Sequence, residues 1–187
     1  LRLLALGRTS PSKGFDHILR GFADATRRGL SATLRIVGPT ITSEEASHRK
    51  ELLKLVSDLG LTGRATVEPP VRSTDVPELL RSTDVLVNAM VDGSGDKVVF
   101  EAIAAGRIPV ASNRCFLPVV GGLEQRLDFD RDSPLSLADR LIECAALSRS
   151  DYEAIAFRLR ERVRTDHSLD SWAESVLRIC GSDAPHP

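Results

Sequence analysis

The sequence predicts an α/β protein built on a doubly wound parallel sheet with helices on both faces. Short apolar runs alternate with segments of helical periodicity along almost all of its 187 residues, the order of right-handed βαβ units. The apolar runs are nearly continuous rather than alternating, as strands buried on both faces require. Polar segments, most with glycine or proline, follow the runs where such sheets carry their ligand loops.

LRLLALG (1–7) is the first strand, and the next segment places Phe15, Ile18, Leu19, Phe22 and Ala23 on one helix face. ATLRIVG (32–38) is the second strand. Thr42 and Glu45 then form a capping-box pair before a helix that stops at Gly60. ATVEPP (65–70) is the third strand, followed by a short helix with Asp75 as cap and Pro77 in its first turn. DVLVNA (84–89) is the fourth strand; after a polar loop, Lys97–Ala105 is a helix closed by Gly106, and IPVAS (108–112) is the fifth strand. Ser133 with Pro134 starts another helix, and Ser150 with Glu153 and Ser171 with Glu174 mark two more as Ser-x-x-Glu boxes.

A chain of 187 residues fits one domain, 1–187, and its 42% hydrophobic content is that of a globular protein. Net charge is −1 with acids and bases mixed, which argues against nucleic-acid binding. Cys115, Cys144 and Cys180 are far apart and form no ligand pattern, so they are expected to be reduced, buried thiols of a cytoplasmic protein. The four histidines, His17, His48, His167 and His186, are expected at the surface. No run of 18 apolar residues and no leader pattern occurs. The chain opens directly on an apolar strand, from which further residues upstream are expected.

The segments after the strands are GRTSPSKG (7–14), GPT (38–40), PPV (69–71) and the loop that leads into VVFEAIAAG. GRTSPSKG is not a Walker A loop, because Ser12 precedes Lys13 and Gly14 follows it. Gly93-Ser94-Gly95 is not a dinucleotide fingerprint, because Val98 stands where a third glycine belongs. What remains is Arg8, Lys13 and helix N-termini on one rim, suited to a diphosphate without a metal. Glu101 lies one turn beyond Lys97. Its carboxylate suits the vicinal hydroxyls of a ribose; the alternative is a Lys97–Glu101 surface pair, worth a few tenths of a kcal/mol. Asp92 and Asp96 suit turn formers. RLRERVR (158–164) suits a wetted helix face, or contact with anionic lipid or a partner.

Taken together, LALGRTSPSKGFDHIL, LRIVG, LGL, STDVLVNA, FEAIAAGRIPVAS and SLDSWAES resemble the carboxyl-terminal, Rossmann-like half of a GT-B glycosyltransferase. The family is the large retaining one often called GT4, the glycosyl transferases of group 1, and the likeness runs from about Leu3 to Trp172. The resemblance implies transfer of a sugar from a nucleotide-diphosphate donor to an acceptor with retention, in polysaccharide or glycolipid synthesis, without cofactor or metal. Arg8 and Lys13 match the basic pair that grips the diphosphate and stabilises the leaving group; no other catalytic residue is assigned. Glu101 matches the second glutamate of the E-x7-E motif, on the ribose. Backbone groups near Gly38 and Val71 would flank the base, and amides of Ser94, Gly95 and Asp96 would face the sugar or β-phosphate. Lys97 looks like a lysine that some bacterial members carry in this loop.

Where the family commonly has its first glutamate, this chain has Gly93, with Asp92 one position off register. Two further readings follow: a non-catalytic nucleotide-sugar-binding module, and a nucleotide-sugar epimerase of the same fold, which GRTSPSKG disfavours. The resemblance also implies an acceptor-binding amino-terminal half outside this chain. A closing helix at about 168–181 would pack on that half, with 182–187 a polar tail, and the isolated domain would not turn over. Peripheral membrane association would then belong to a full-length protein.

Overall fold

Five parallel strands, β1 (Arg2–Leu6), β2 (Thr33–Val37), β3 (Ala65–Glu68), β4 (Val85–Asn88) and β5 (Ile108–Ala111), form one sheet in the order β3-β2-β1-β4-β5. Each is a β-branched or leucine-rich run whose residues are buried almost throughout β4 and β5. Leu3 of β1 pairs with Leu34 on one side and Val85 on the other. The computed structural model describes residues 1–93, 95–123 and 126–182.

Eight helices accompany the sheet among the described residues: α1 (Phe15–Arg27), α2 (Ser43–Asp58), α3 (Val76–Arg81), α4 (Lys97–Ala104), α5 (Leu117–Val120), α6 (Pro134–Ala146), α7 (Arg149–Asp166) and α8 (Leu169–Ser182). The chain travels from β1 to β3 in one direction and from β4 to β5 in the other. Right-handed crossovers therefore put α1 and α2 on one face and α4 on the opposite one. The packing agrees, with α1 against α2 and α6, and α4 against α3 and α7. Phe15, Ile18, Leu19, Phe22 and Ala23 are buried as their spacing predicts.

Two expected helix starts are as predicted: the Thr42–Glu45 box has both of its bonds, and the Ser133 hydroxyl accepts from Ser136 N–H at 3.2 Å. Three are corrected. Asp75 makes no cap bond, because both its oxygens accept from Arg72, at 2.8 and 3.1 Å. Ser148 rather than Ser150 caps α7, accepting from Asp151 N–H at 3.1 Å. Ser168 rather than Ser171 accepts at the start of α8, from Ser171 N–H at 3.1 Å. In both late helices a serine two or three residues upstream caps an earlier amide and starts the helix sooner, and periodicity does not distinguish the two.

Side-chain expectations also shift. Cys144 is buried, and burial pushes its thiol up to about 12, but Cys115 and Cys180 are exposed. His48 is half-buried, whereas His167 is exposed and lies against Phe100, ring centroids 4.9 Å apart. His186 and residues 183–187 of the expected tail lie outside the described residues. Within 158–164 the face is not uniformly wetted: Arg162 donates to the carbonyls of Val119 and Gly121, both at 2.7 Å, and ties α7 to the end of α5.

Candidate functional site

After β3 the chain returns across the sheet to place β4 beside β1, so the direction of winding switches between these two strands. A crevice opens at the carboxyl end of such a switch. The loops that border it are 7–14, from β1, and 89–96, from β4. They are tied together: Val91 N–H donates to the Ser12 carbonyl at 3.3 Å. Gly14 sits so close to Ala89 that a Cβ would lie 2.5 Å from the Ala89 oxygen. On the other side, Thr9 N–H donates to the Pro39 carbonyl at 3.0 Å, and a Cβ on buried Gly38 would fall 1.7 Å from the Gly7 oxygen. The GRT and GPT segments thus form one close-packed layer beneath the rim.

Lys13 reaches across the crevice. Its Nζ lies 2.6 Å from Asp96 Oδ2, and the same oxygen accepts from Asn88 Nδ2 at 2.9 Å. Both side chains of the ion pair are largely shielded, 16% and 12% exposed. Asp96 holds the N-cap position of α4 in extended backbone, yet makes no side-chain cap bond, because its carboxylate is turned to Lys13. Arg8 is exposed, with Nε 3.6 Å from Glu45 Oε1. Glu45 is buried at the start of α2, where Oε2 accepts from Ile41 N–H at 2.7 Å. Each cation expected to meet phosphate thus has a carboxylate opposite it.

Lys97 and Glu101 are both exposed and make no ion pair with each other among the described residues. The surface-pair alternative is not realised. Glu101 borders a groove of about 450 Å³ between α3 and α4, together with Ser73, Val76 and Pro77. Half-buried Val71 lies just upstream of that groove. Among the described residues, no hydrogen bond or ion pair joins Glu101 to Arg8 or Lys13. Helix α4 is what relates them: Lys13 touches its N-cap residue, Asp96, and Glu101 lies about 7.5 Å further along the axis.

In the loop, Gly95 is exposed and Ser94 lies outside the described residues. Asp92 is more than a turn former, since Oδ1 accepts from Arg114 N–H at 2.7 Å. Gly93 has φ +84°, a left-handed conformation that a glutamate would adopt only under strain. Four residues were not singled out from the sequence for what they do here: Asn88 and the Asp96 carboxylate on Lys13, Glu45 on Arg8, and Arg131, whose Nε donates to the Ala89 carbonyl at 2.8 Å. Asn88 had a legible signal, a polar residue ending an otherwise apolar strand. Arg131 had none, because its segment carries no motif.

Among the described residues, no group of three or more His, Cys, Asp or Glu is arranged to hold a metal ion. Nor is any described helix long and apolar enough to cross a membrane.

Comparison with known proteins supports the expectation drawn from the motifs. Residues 1–156 match the family model described as glycosyl transferases group 1. Mannosylfructose-phosphate synthase of Agrobacterium fabrum is 27% identical over 131 residues, 69% of this chain and 28% of that protein. D-inositol 3-phosphate glycosyltransferase of Rhodococcus jostii is 31% identical over 121 residues, 63% of this chain and 25% of that one. Among solved structures, Anabaena HepE in complex with UDP and glucose superposes with a TM-score of 0.84 at 18% identity, covering 97% of this chain and 48% of that chain. Sucrose-phosphate synthase of Thermosynechococcus elongatus gives 0.80 at 20% identity, covering 98% and 46%. The chain thus spans about half of these solved chains, and its match covers about a quarter of the sequence relatives.

Proposed function

Because the chain belongs to the glycosyl transferases group 1 family, we propose that it is the nucleotide-sugar donor-binding domain of a retaining, GT-B glycosyltransferase of the hexosyltransferase type. The observation that carries this reading is the placement of Lys13, shielded at the switch between β1 and β4 and in contact with Asp96, the N-cap residue of α4. A diphosphate at that point would meet an ammonium, the Arg8 guanidinium and the amides that begin α4. As the sugar leaves, negative charge develops on the diphosphate, and these fixed positive groups stabilise it more than they stabilise the bound donor. On this reading the chain's own cations meet that charge, and no metal takes part.

Glu101, without an ion-pair partner among the described residues and one turn into α4, would accept from the ribose hydroxyls. The backbone near Gly38 and Val71 would flank the base, with Lys97, Gly95 and the Asp96 amide toward the β-phosphate and sugar. UDP in the HepE complex supports a uridine diphosphate donor as the first to test. The names of the two sequence relatives support a polar, phosphorylated acceptor.

That acceptor would bind an amino-terminal half outside this chain, and the domain by itself would not turn over. Helix α8 supports this division, because Leu169, Trp172 and Leu177 leave 84%, 65% and 71% of their surface exposed, an apolar face suited to packing on that half. The full enzyme would work in the cytoplasm, at the membrane surface if its acceptor is a lipid.

Calorimetry with UDP-, GDP- and ADP-sugars tests the reading. Micromolar binding of one donor, weakened at least tenfold in both Lys13→Ala and Glu101→Ala, is expected. Failure of every nucleotide to bind would overturn it. The module reading is favoured by Gly93 alone. It would be supported by donor binding equal to that of active relatives together with no transfer by the full-length protein.

A further inference from the structure

At the amino-terminal end of the sheet, opposite Lys13, lies a half-open cavity of about 620 Å³ to which no motif drew attention. Arg2 opens β1, Asp84 precedes β4 and Arg107 precedes β5, so the topology gathers all three at this end. Helix α7 adds Arg149 and Glu153 from its first turns and Arg160 from further along. Four guanidiniums therefore surround one cavity that holds two carboxylates.

The two acids do not neutralise the four bases. Asp84 is saturated by Arg2: Oδ2 accepts from Arg2 N–H at 2.7 Å and from Nε at 3.2 Å, and Oδ1 accepts from Nη2 at 2.6 Å. Glu153 accepts from Arg149 Nε at 2.8 Å in a pair that is 90% and 63% exposed, the kind that opens easily in water. Arg107 is half-buried; its Nε donates to the Ala105 carbonyl at 3.3 Å, and it has no carboxylate partner among the described residues. Arg160 is exposed, and the carboxylate of neighbouring Glu161, which feels its charge, is bonded to Arg164 instead, accepting from Nη2 at 2.8 Å. Tyr152 anchors the wall, its hydroxyl donating to the Asp84 carbonyl at 2.6 Å. Crowding like charges around one cavity works against the fold unless an anion offsets it. A guanidinium fork matches phosphate oxygens in pairs, and the volume is that of a small-molecule site.

We propose that this cavity is a second ligand site, distinct from the candidate donor crevice, which binds a phosphate-bearing molecule through Arg107 and Arg160. The ligand is either a soluble phosphate ester or a lipid headgroup. Phe157, 67% exposed at the rim, offers apolar contact to either.

Inorganic phosphate, titrated into the isotope-labelled chain at constant ionic strength, is the first probe. Saturable amide shifts at Arg107 and Tyr152 are expected. They should persist in Lys13→Ala, where the donor crevice is impaired, and weaken at least tenfold in the Arg107→Gln, Arg160→Gln double variant. Arg160→Gln alone, at an exposed position, guards against misfolding and should weaken them at least threefold. No saturable shift, or shifts unchanged in these variants, would overturn the proposal. Co-sedimentation with phosphatidylcholine vesicles containing phosphatidic acid, lost in the double variant and in Phe157→Ala, would assign the phosphate to a lipid. Phosphate shifts without co-sedimentation would assign it to a soluble ester. Neither outcome depends on whether the chain binds a nucleotide.

Discussion

The carboxylate of Asp96 lies 2.6 Å from the Lys13 ammonium, across 83 residues of chain, and leaves the first turn of α4 without its side-chain cap. Asp is a favoured N-cap residue, worth about 1 kcal/mol in that role. Here it serves the lysine instead. A phosphate bound at Lys13 would compete with it for the ammonium.

Asp96→Asn should therefore tighten UDP binding about fivefold, corresponding to about 1 kcal/mol for a shielded ion pair no longer competing. Calorimetry measures it directly. Weaker binding than wild type would show that the carboxylate orients Lys13 for the ligand rather than opposing it.

Gly93→Glu restores the residue common in the family but sets it at φ +84°. A loss of about 1 kcal/mol in urea unfolding is expected, because an L side chain is strained there. Unchanged stability would mean that the loop readily takes another path.

Arg162 fastens two carbonyls at the end of α5, each at 2.7 Å. Arg162→Ala should cost about 2 kcal/mol, lowering Tm by roughly 4–8 °C. A Tm within a degree of wild type would show that water replaces both bonds.

Acid should weaken the fold partly through Asp84. Burial pushes its carboxyl upward, but the Arg2 side chain and N–H, with their charge, outweigh that and hold it below the usual carboxylate range. A depressed folded value stabilises the native state above the unfolded value, about pH 3.9. That stability is lost as pH falls through the folded value. Urea midpoints from pH 7 down to pH 2 should fall less steeply below about pH 4 in Asp84→Asn than in wild type, from a lower starting point. Parallel curves would exclude this carboxylate as a source of acid sensitivity.

Thiol reactivity should divide two to one. Cys115 and Cys180 are exposed, whereas Cys144 is buried with its thiol pushed up to about 12. A disulfide reagent at pH 8 should modify two thiols of the native chain promptly and the third only on unfolding. Three equal rates would show that α6 opens readily.

Much of this protein is legible from local pattern. Period and punctuation placed every strand and the buried face of α1, because burying an apolar stripe is the dominant local demand on the chain. Order along the chain also put Arg8, Lys13 and the α4 loop at one end of the sheet, since parallel strands direct all their following loops there. Helix starts at Ser148 and Ser168 were less legible, because each is followed within two or three residues by another serine that fits the periodicity as well.

Sequence by itself thus determined the α/β architecture, the family and the rim on which its cations stand. Only the tertiary structure decided that Lys13 is held by Asp96, that Lys97 and Glu101 stay apart, and that four arginines from distant segments share one cavity. Hydrophobic periodicity records which face of an element is buried. Which charges meet depends on strand order and loop path, and neither is written in any single segment.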